Sequence, residues 1–268
     1  MAVQVVAHRG ASEDAAEHTL AAYRRAIDSG ADALECDVRL TRDGVLVCVH
    51  DRRVDRTSDG RGVVSALELA DLAELDFSSW HPSRVEAPDF ETGVDDGDRR
   101  VLTLERLFET VADCGRRVEV AIETKHPTRY AGLVELALVE LLARFGLDRP
   151  DADGRSPARV MSFATSSLRR MRELAPAVPT VYLMQRVPLR LRDGAAPTPA
   201  DAVGPSLRAL RAVPSYVERS HAHGVPVHVW TVDEPEDVDY VVGLGVDVII
   251  TNRPAAVRQQ LQASPARA

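Results

Sequence analysis

Cysteine is scarce in this chain, which has only three in 268 residues: Cys36, Cys48 and Cys114. An odd, sparse set cannot form a disulfide framework, and the spacing matches no metal-binding motif. We therefore expect reduced thiols, with Cys36 and Cys48 serving as small core residues. Reduced thiols favour a cytoplasmic location.

Long apolar runs and an excess of basic residues are missing as well. No stretch approaches membrane-spanning length, and the N-terminus enters a strand without a signal-peptide pattern, which predicts a cytoplasmic protein with no integral membrane association. Lys and Arg number 33 against 41 Asp and Glu, a formal charge of -8. This balance argues against nucleic acid as a partner but is compatible with a local basic pocket for one phosphate.

The chain nevertheless has the length and pattern of one large α/β domain. Short apolar strands alternate with helical spacings in about eight strand–helix steps, which favours a closed TIM-type (β/α)8 barrel over an open sheet, as a single domain over residues 1–268. Strands are predicted at Val3–Ala7, Ala33–Val38, Val118–Glu123, Arg159–Phe163, Thr180–Met184, Ala202–Val203, Val227–Val232 and Val246–Thr251. Helices are predicted at Glu17–Ser29, Val101–Cys114, Tyr130–Phe145, Ser167–Leu174, Pro214–His223, Pro235–Leu244 and Ala255–Leu261, and a turn with a short helix is predicted at Val63–Leu75.

The stretch from 34 to 51 predicts a β-hairpin. Asp43-Gly44 between alternating apolar residues is a strong signal for a two-residue turn. With that turn, Asp37 lies opposite His50, with Cβ atoms roughly 5 Å apart. Glu35 shares the face of Asp37 because side chains alternate along a strand.

Two carboxylates on an otherwise buried strand have two interpretations. A solvated strand face is the commoner one. Buried carboxylates, however, repel one another and lose hydration unless a cation compensates, and oxygen ligands without Cys or His suit a hard divalent ion. Glu123, on a later strand, offers a third carboxylate, although with Lys125 it could equally form a simple ion pair at the barrel rim.

Functional residues of such barrels lie at the C-terminal ends of the strands. Those ends carry an ionic set and an apolar set: His8, Arg9, Glu35, Asp37, Glu123 and Lys125, then Phe163, Met184 and Trp230. Arg9 and Lys125 suit an anionic substrate. His8 and His50 are candidates for proton transfer because imidazole titrates near 6.5.

A set of short motifs, in order along the chain, resembles the glycerophosphodiester phosphodiesterase family. The motifs are His8-Arg9-Gly10-Ala11-Ser12, Glu17-His18-Thr19, Glu35-Cys36-Asp37-Val38, Thr41-Arg42-Asp43-Gly44, His50-Asp51, Asp55-Arg56-Thr57, Glu123-Thr124-Lys125 and Val229-Trp230-Thr231-Val232. Two positions depart from the family pattern. His18 stands where Asn is usual, and Asn252 stands where Asp is usual.

The resemblance implies a metal-dependent hydrolase that cleaves glycerophosphodiesters to sn-glycerol 3-phosphate and an alcohol, as a monomer or homodimer. It implies one divalent cation, calcium or magnesium with manganese as a third candidate, held by Glu35, Asp37 and Glu123. His8 and His50 would be the catalytic acid–base pair. The phosphate would lie on Arg9 and Lys125, and the pocket walls would be Phe163 and Trp230.

Residues 52–100 are expected to form an inserted subdomain or lid over the barrel mouth, because long aperiodic segments in compact domains are usually binding loops. Two alternatives to the diesterase remain at this point. One is a phospholipase D or lysophospholipase D activity on lipids. That activity needs an apolar rim around the site, and a chain with only 4% aromatic residues gives little support for one. The other is a non-catalytic glycerophosphate-binding barrel.

Overall fold

The computed structural model describes residues 3–82, 99–127 and 132–263 of the chain. Its strands are β1 Gln4–His8, β2 Ala33–Leu40, β3 Leu46–Cys48, β4 Glu119–Thr124, β5 Ala158–Ser162, β6 Thr180–Met184, β7 Ala202–Pro205, β8 His228–Val229 and β9 Val248–Thr251. Its α-helices are α1 Leu20–Asp28, α2 Leu69–Ala73, α3 Leu104–Ala112, α4 Leu133–Arg144, α5 Thr165–Leu174, α6 Leu207–Ala212, α7 Tyr216–Ala222, α8 Pro235–Leu244 and α9 Pro254–Ala263.

Eight of these strands run parallel and form a nearly closed barrel. They follow the order β7-β6-β5-β4-β2-β1-β9-β8, and β3 adds antiparallel to β2. Parallel bridges from Val203 to Val227 and from Ser206 to Trp230 bring the two ends of the sheet together. The predicted TIM-type barrel is therefore confirmed.

The predicted hairpin exists, but its register is wrong by one residue. Val38 pairs with Cys48 and Leu40 with Leu46, which places Asp37 opposite Val49 and not opposite His50. The loop has three residues, not two, because the Thr41 hydroxyl accepts a hydrogen bond from the Val45 amide at 2.9 Å and Gly44 takes a left-handed φ of 86°. Three-residue hairpin loops commonly end on such a left-handed residue.

Apolar side chains fill the barrel and the layer between strands and helices. Inside the barrel, a compact cluster is formed by Val6, Ala33, Ala121, Met161, Val181, Leu183, Ala202, Val248 and Ile250. Outside the strands, Tyr23, Phe108 and Tyr216 are among the largest fully buried side chains. Cys36 and Cys48 are buried and free, as the sequence predicts.

The helices largely match the prediction, with two differences. Helix α6 was not predicted; it has six residues and follows a Pro/Ala/Gly-rich stretch, too short for a periodic signal. Helix α4 begins at Leu133, so the predicted start at Tyr130 lies outside the described residues. No helix among the described residues has the length and apolar character needed to cross a membrane.

The segment after β3 is described over residues 52–82 and 99–100, and positions 83–98 of the predicted insertion lie outside the described residues. It contains a 3-10 turn, Val64–Ala66, and helix α2. A small core of its own holds it against β3, formed by Val47, Val49, Val54, Val64, Leu72 and Phe77. That contact gives the described part of the segment a fixed place beside the hairpin.

Candidate active site

A cavity lies at the C-terminal ends of the barrel strands. Its lining consists of His8, Arg9, Glu35, His50, Glu123, Lys125, Met161, Phe163, Leu183, Gln185, Trp230 and Ile250. Eight of the nine site residues expected from the sequence are in this lining. The ninth, Asp37, is fully buried next to it, in contact with Arg9 and Lys125.

Three buried carboxylates converge beside the cavity. Asp37 on β2 is the register partner of Glu123 on β4, and Glu35 lies two residues earlier on β2. Neighbouring strands of a parallel sheet present paired residues on one face, and here oxygen atoms of the three side chains lie within 4.8 Å of one another. The sheet register thus assembles the acidic cluster.

Repulsion and burial set the charge state of this cluster. Burial, and then the charge of Asp37, raise the pKa of Glu35 well above its usual range and that of Glu123 to about 7. Burial alone would also raise the pKa of Asp37, but a hydrogen bond with His18 and the charge of Lys125 lower it well below its usual range. Asp37 is therefore the carboxylate that stays ionised.

Two permanent cations face the carboxylates. Lys125 Nζ lies 2.6 Å from Glu123 Oε1 and 2.8 Å from Asp37 Oδ1. Arg9 places Nε 3.0 Å from Asp37 Oδ2 and donates its backbone amide to Glu35 Oε2, also at 3.0 Å. Burial opposes the charge on both side chains, yet the nearby carboxylates raise the pKa of each, so both remain charged.

The donor set of the cluster fits a hard divalent cation. All three groups offer carboxylate oxygens, the ligands that calcium and magnesium take in proteins. Arg9 is shared with Glu17, whose Oε1 lies 3.0 Å from Nη1, so the two cations do not fully neutralise the cluster. A bound dication would relieve the repulsion that raises the pKa values of Glu35 and Glu123.

His8 is oriented by a chain of hydrogen bonds through Asn252, the residue that follows β9. Asn252 donates Nδ2 to Asp233 Oδ2 at 2.7 Å, and a carboxylate can only accept, so the Asn252 oxygen must face the other way. That oxygen lies 2.7 Å from His8 Nδ1 and 2.8 Å from Ser12 Oγ. His8 therefore donates through Nδ1 and keeps a lone pair on Nε2. Burial, and then the charge of Arg9, lower its pKa to about 3, so the imidazole is neutral.

His50 has a different orienting partner. Its Nδ1 lies 2.7 Å from Asp51 Oδ1, and its side chain is 34% exposed. Since a carboxylate accepts, His50 also donates through Nδ1 and leaves Nε2 free. The negative charge of Asp51 favours the protonated ring more than the neutral amide beside His8 does. In their neutral forms the two histidines thus have the same tautomer. Burial lowers the pKa of His50 as well, while the charge of Asp37 opposes that shift.

His18 lies behind the carboxylates and not in the cavity lining. Its Nε2 is 2.9 Å from Asp37 Oδ2 and its Nδ1 is 2.8 Å from the Tyr23 hydroxyl. The hydroxyl in turn donates to the Glu35 carbonyl oxygen at 3.0 Å. Burial lowers the pKa of His18. Its contacts support Asp37 and the strand that carries Glu35.

The opposite wall of the cavity is apolar. Phe163 and Trp230 meet edge to face with ring centroids 5.5 Å apart, and Trp230 Nε1 donates to the Gly204 carbonyl oxygen at 2.7 Å. Met161, Leu183 and Ile250 complete this wall. Met184, which also ends a strand, packs into the core between strands and helices, and its neighbour Gln185 lines the cavity instead.

Several residues that organise the site had no role assigned from the sequence. These are Ser12, Glu17, Asp51 and Asn252, which hydrogen-bond to cavity residues, and Arg56 and Asp233, which hydrogen-bond to members of that first group. Four of them, Ser12, Glu17, Asp51 and Arg56, occur in the motifs noted above, and Asn252 is one of the two noted departures from the family pattern, so the motifs were a usable signal. Asp233 directly follows the Val229–Val232 motif, but its role depends on Asn252, 19 positions away, whose side-chain amide donates to it.

The fold and the site together define a TIM-type barrel with an ionic, two-histidine mouth, the architecture of a phosphodiester hydrolase. The model of the glycerophosphoryl diester phosphodiesterase family matches residues 8–256. The chain therefore belongs to that family of hydrolases.

Individual relatives agree with this assignment. A Mycobacterium tuberculosis protein described as a probable glycerophosphodiester phosphodiesterase 1 is 49% identical, over 96% of this chain and 92% of its own. A glycerophosphodiester phosphodiesterase of Bacillus subtilis is 32% identical, over 94% of this chain and 84% of its own. Among solved structures, an Oleispira antarctica phosphodiesterase in complex with its product sn-glycerol-3-phosphate has the same fold, with a TM-score of 0.78 at 24% identity, covering 97% of this chain and 96% of that one.

Proposed function

We propose that this chain hydrolyses glycerophosphodiesters to sn-glycerol 3-phosphate and an alcohol. The observation that supports this most is the joint lining of one cavity by His8, His50, Arg9 and Lys125 next to the acidic cluster. A phosphodiester needs cations for its charge, a base for the nucleophile and an acid for the leaving oxygen. The cavity offers each of these.

The acidic cluster is the proposed site of one divalent cation, with calcium, magnesium or manganese as candidates. Glu35, Asp37 and Glu123 would hold it, since their oxygens lie within 4.8 Å of one another. When bound, such an ion supplies positive charge that stabilises the developing charge on the phosphoryl oxygens. Arg9 and Lys125, next to the same carboxylates, are the proposed phosphate contacts, with a planar fork from the first and a point charge from the second.

The histidines divide the proton transfers between them. His8, neutral and with a free Nε2, is the proposed base for the attacking hydroxyl, whether that of water or of the substrate's own glycerol. His50, paired with Asp51 through Nδ1, is the proposed acid. In its doubly protonated form it also carries a proton on Nε2, and it gives that proton to the departing alkoxide oxygen. Before the next cycle, His8 releases the proton it has gained to solvent, and His50 takes up a proton from solvent.

The apolar wall is the proposed contact for the carbon skeleton of the substrate. Phe163 is 40% exposed at the rim, so part of its ring is available to the alcohol or the glycerol. Glycerophosphodiester is the partner we propose, and the exclusion of nucleic acid, the cytoplasmic location and the monomer or homodimer state remain predictions from sequence and family resemblance.

The direct test is incubation with glycerophosphocholine and Ca²⁺, Mg²⁺ or Mn²⁺, with and without EDTA, and assay of glycerol 3-phosphate. We expect release that needs a metal and stops on chelation. A lysophospholipid offered in parallel tests the lipid alternative. Absence of product with every metal and diester would contradict the proposal and favour a non-catalytic glycerophosphate-binding barrel.

A further inference from the structure

We infer that Arg56, on the segment after β3, is a positioning residue that holds both His50 and Arg9 in their working orientation. The inference rests on the proposed function, because it concerns residues of that site. Arg56 does not line the cavity. It acts through two carboxylates, one for each of the residues it positions.

The first branch runs to His50. Arg56 Nε donates to Asp51 Oδ2 at 2.6 Å, and the other oxygen of Asp51 accepts from His50 Nδ1 at 2.7 Å. Both oxygens of one carboxylate are thereby used, so the Asp51 plane is fixed by Arg56 on one side and fixes the imidazole on the other. Without Arg56, the Asp51 carboxylate could turn toward solvent, since it is about a third exposed.

The second branch runs to Arg9. The terminal nitrogens of Arg56 donate to both oxygens of Glu17, Nη1 to Oε2 at 2.9 Å and Nη2 to Oε1 at 2.7 Å. Glu17 Oε1 also accepts from Arg9 Nη1 at 3.0 Å. A bidentate pair fixes a carboxylate in both position and plane, so Arg56 also sets the place of the guanidinium that faces Asp37.

Arg56 is itself held by the inserted segment. Its guanidinium lies over the Trp80 ring, 5.9 Å from the centroid, and Trp80 Nε1 donates to the Phe77 carbonyl oxygen at 3.0 Å. Phe77 belongs to the small core that packs against β3. Arg56 is thus a direct link between the segment and the two carboxylates that orient His50 and Arg9, and all three nitrogens of its guanidinium are used.

This arrangement indicates positioning and not general stability. The Arg56 side chain is 45% exposed, and ion pairs at such exposure add little to folding stability. Residues that orient catalytic groups, by contrast, typically change activity about 10- to 100-fold when removed. Activity and stability therefore separate the two roles.

The experiment compares Arg56→Met and Arg56→Lys with Arg53→Met as the matched control. Arg53 lies on the same segment, and its guanidinium pairs with the exposed Asp55, 3.0 Å away. We expect Arg56→Met to lower kcat and raise KM for glycerophosphocholine, with a combined loss in kcat/KM of about 10- to 100-fold. Arg56→Lys should recover only part of this loss, because it keeps the positive charge but one ammonium cannot bridge two carboxylates. Arg53→Met should have the kcat and KM of the wild type.

The two branches are separated by Asp51→Asn, which should lower kcat, and Glu17→Gln, which should raise KM. In the Asp51→Asn, Glu17→Gln double variant, adding Arg56→Met should lower kcat/KM by less than about threefold, because both partners of Arg56 are already altered. An equal loss in both backgrounds, or an Arg56→Met loss matched by a large drop in Tm, would overturn positioning. An active wild type with an equally active Arg56→Met refutes this inference alone, whereas a wild type that cleaves no diester refutes the proposed function.

Discussion

Replacement of Asn252 by Leu tests how the tautomer of His8 is set. The Asn252 oxygen is the acceptor for His8 Nδ1 at 2.7 Å, and its amide nitrogen is bound to Asp233 at 2.7 Å. Leu has similar volume but neither group. His8 then loses the partner that keeps the proton on Nδ1, so its Nε2 no longer has to carry the lone pair a base needs.

The size of the effect follows from the hydrogen bonds that Leu cannot make. A polar group left without its hydrogen-bond partner costs about 1–3 kcal/mol. If that energy is what holds the reactive tautomer and ring orientation, kcat should fall roughly 5- to 150-fold, at tenfold per 1.36 kcal/mol. The unfolding free energy should fall by a similar 1–3 kcal/mol, because Asp233 Oδ2 loses the side-chain donor of Asn252. Asp233 Oδ1 keeps its two donors, the backbone N–H of residue 252 and the Thr251 hydroxyl.

The assay is steady-state release of glycerol 3-phosphate, with urea unfolding alongside. Gln260→Leu is the matched control, since Gln260 on α9 donates its amide to Pro235 and Asp239, and neither belongs to the cavity lining. We expect that control to retain wild-type kcat. A folded Asn252→Leu protein with kcat within twofold of wild type would refute this account of His8.

Three further outcomes follow from the structure. His50→Ala should abolish turnover with nearly unchanged Tm, since the side chain is a third exposed; a large drop in Tm would make it structural. Ca²⁺ or Mg²⁺ should raise the Tm of wild type, EDTA should reverse the shift, and Glu35→Gln should lose it; an equal shift in the variant would place the ion elsewhere. Glu135 is buried, and although burial alone would raise its pKa, hydrogen bonds from His126 and Arg170 lower it to about 2. Its contribution to the unfolding free energy is present above the unfolded pKa near 4.5 and is lost as pH falls through about 2. Glu135→Gln should therefore lower the unfolding free energy by about 3 kcal/mol at pH 7 and make it depend less on pH between those two values. Urea titrations at several pH values measure both effects.

The sequence predicted the architecture because its signal is local. Strands buried on both faces are continuous apolar runs, and the helices between them show a 3.6-residue spacing. That alternation identified the barrel, and the residues at its strand ends identified most of the cavity lining. Where the local signal is short, as in the six residues of α6, prediction failed.

The hairpin shows how a local signal can mislead. Asp43-Gly44 indicated a two-residue turn, but the Thr41 hydroxyl bonds to both the Val45 amide and the Asp43 carboxylate and stabilises a three-residue loop. One residue of register moved Asp37 away from His50 in the ladder. His50 still reaches the cavity, because the chain leaves the strand after Cys48 and alternation no longer governs its direction.

What the sequence alone determined is the set of chemical groups and the strand ends that bring them to one mouth. Only the tertiary structure decided how those groups are held: Asn252 meets His8 across 244 positions, and Arg56 meets Glu17 across 39. The physical reason is that backbone periodicity fixes the face on which a side chain starts. Its hydrogen-bond partner, and hence its tautomer and charge, depends on which distant segments pack beside it.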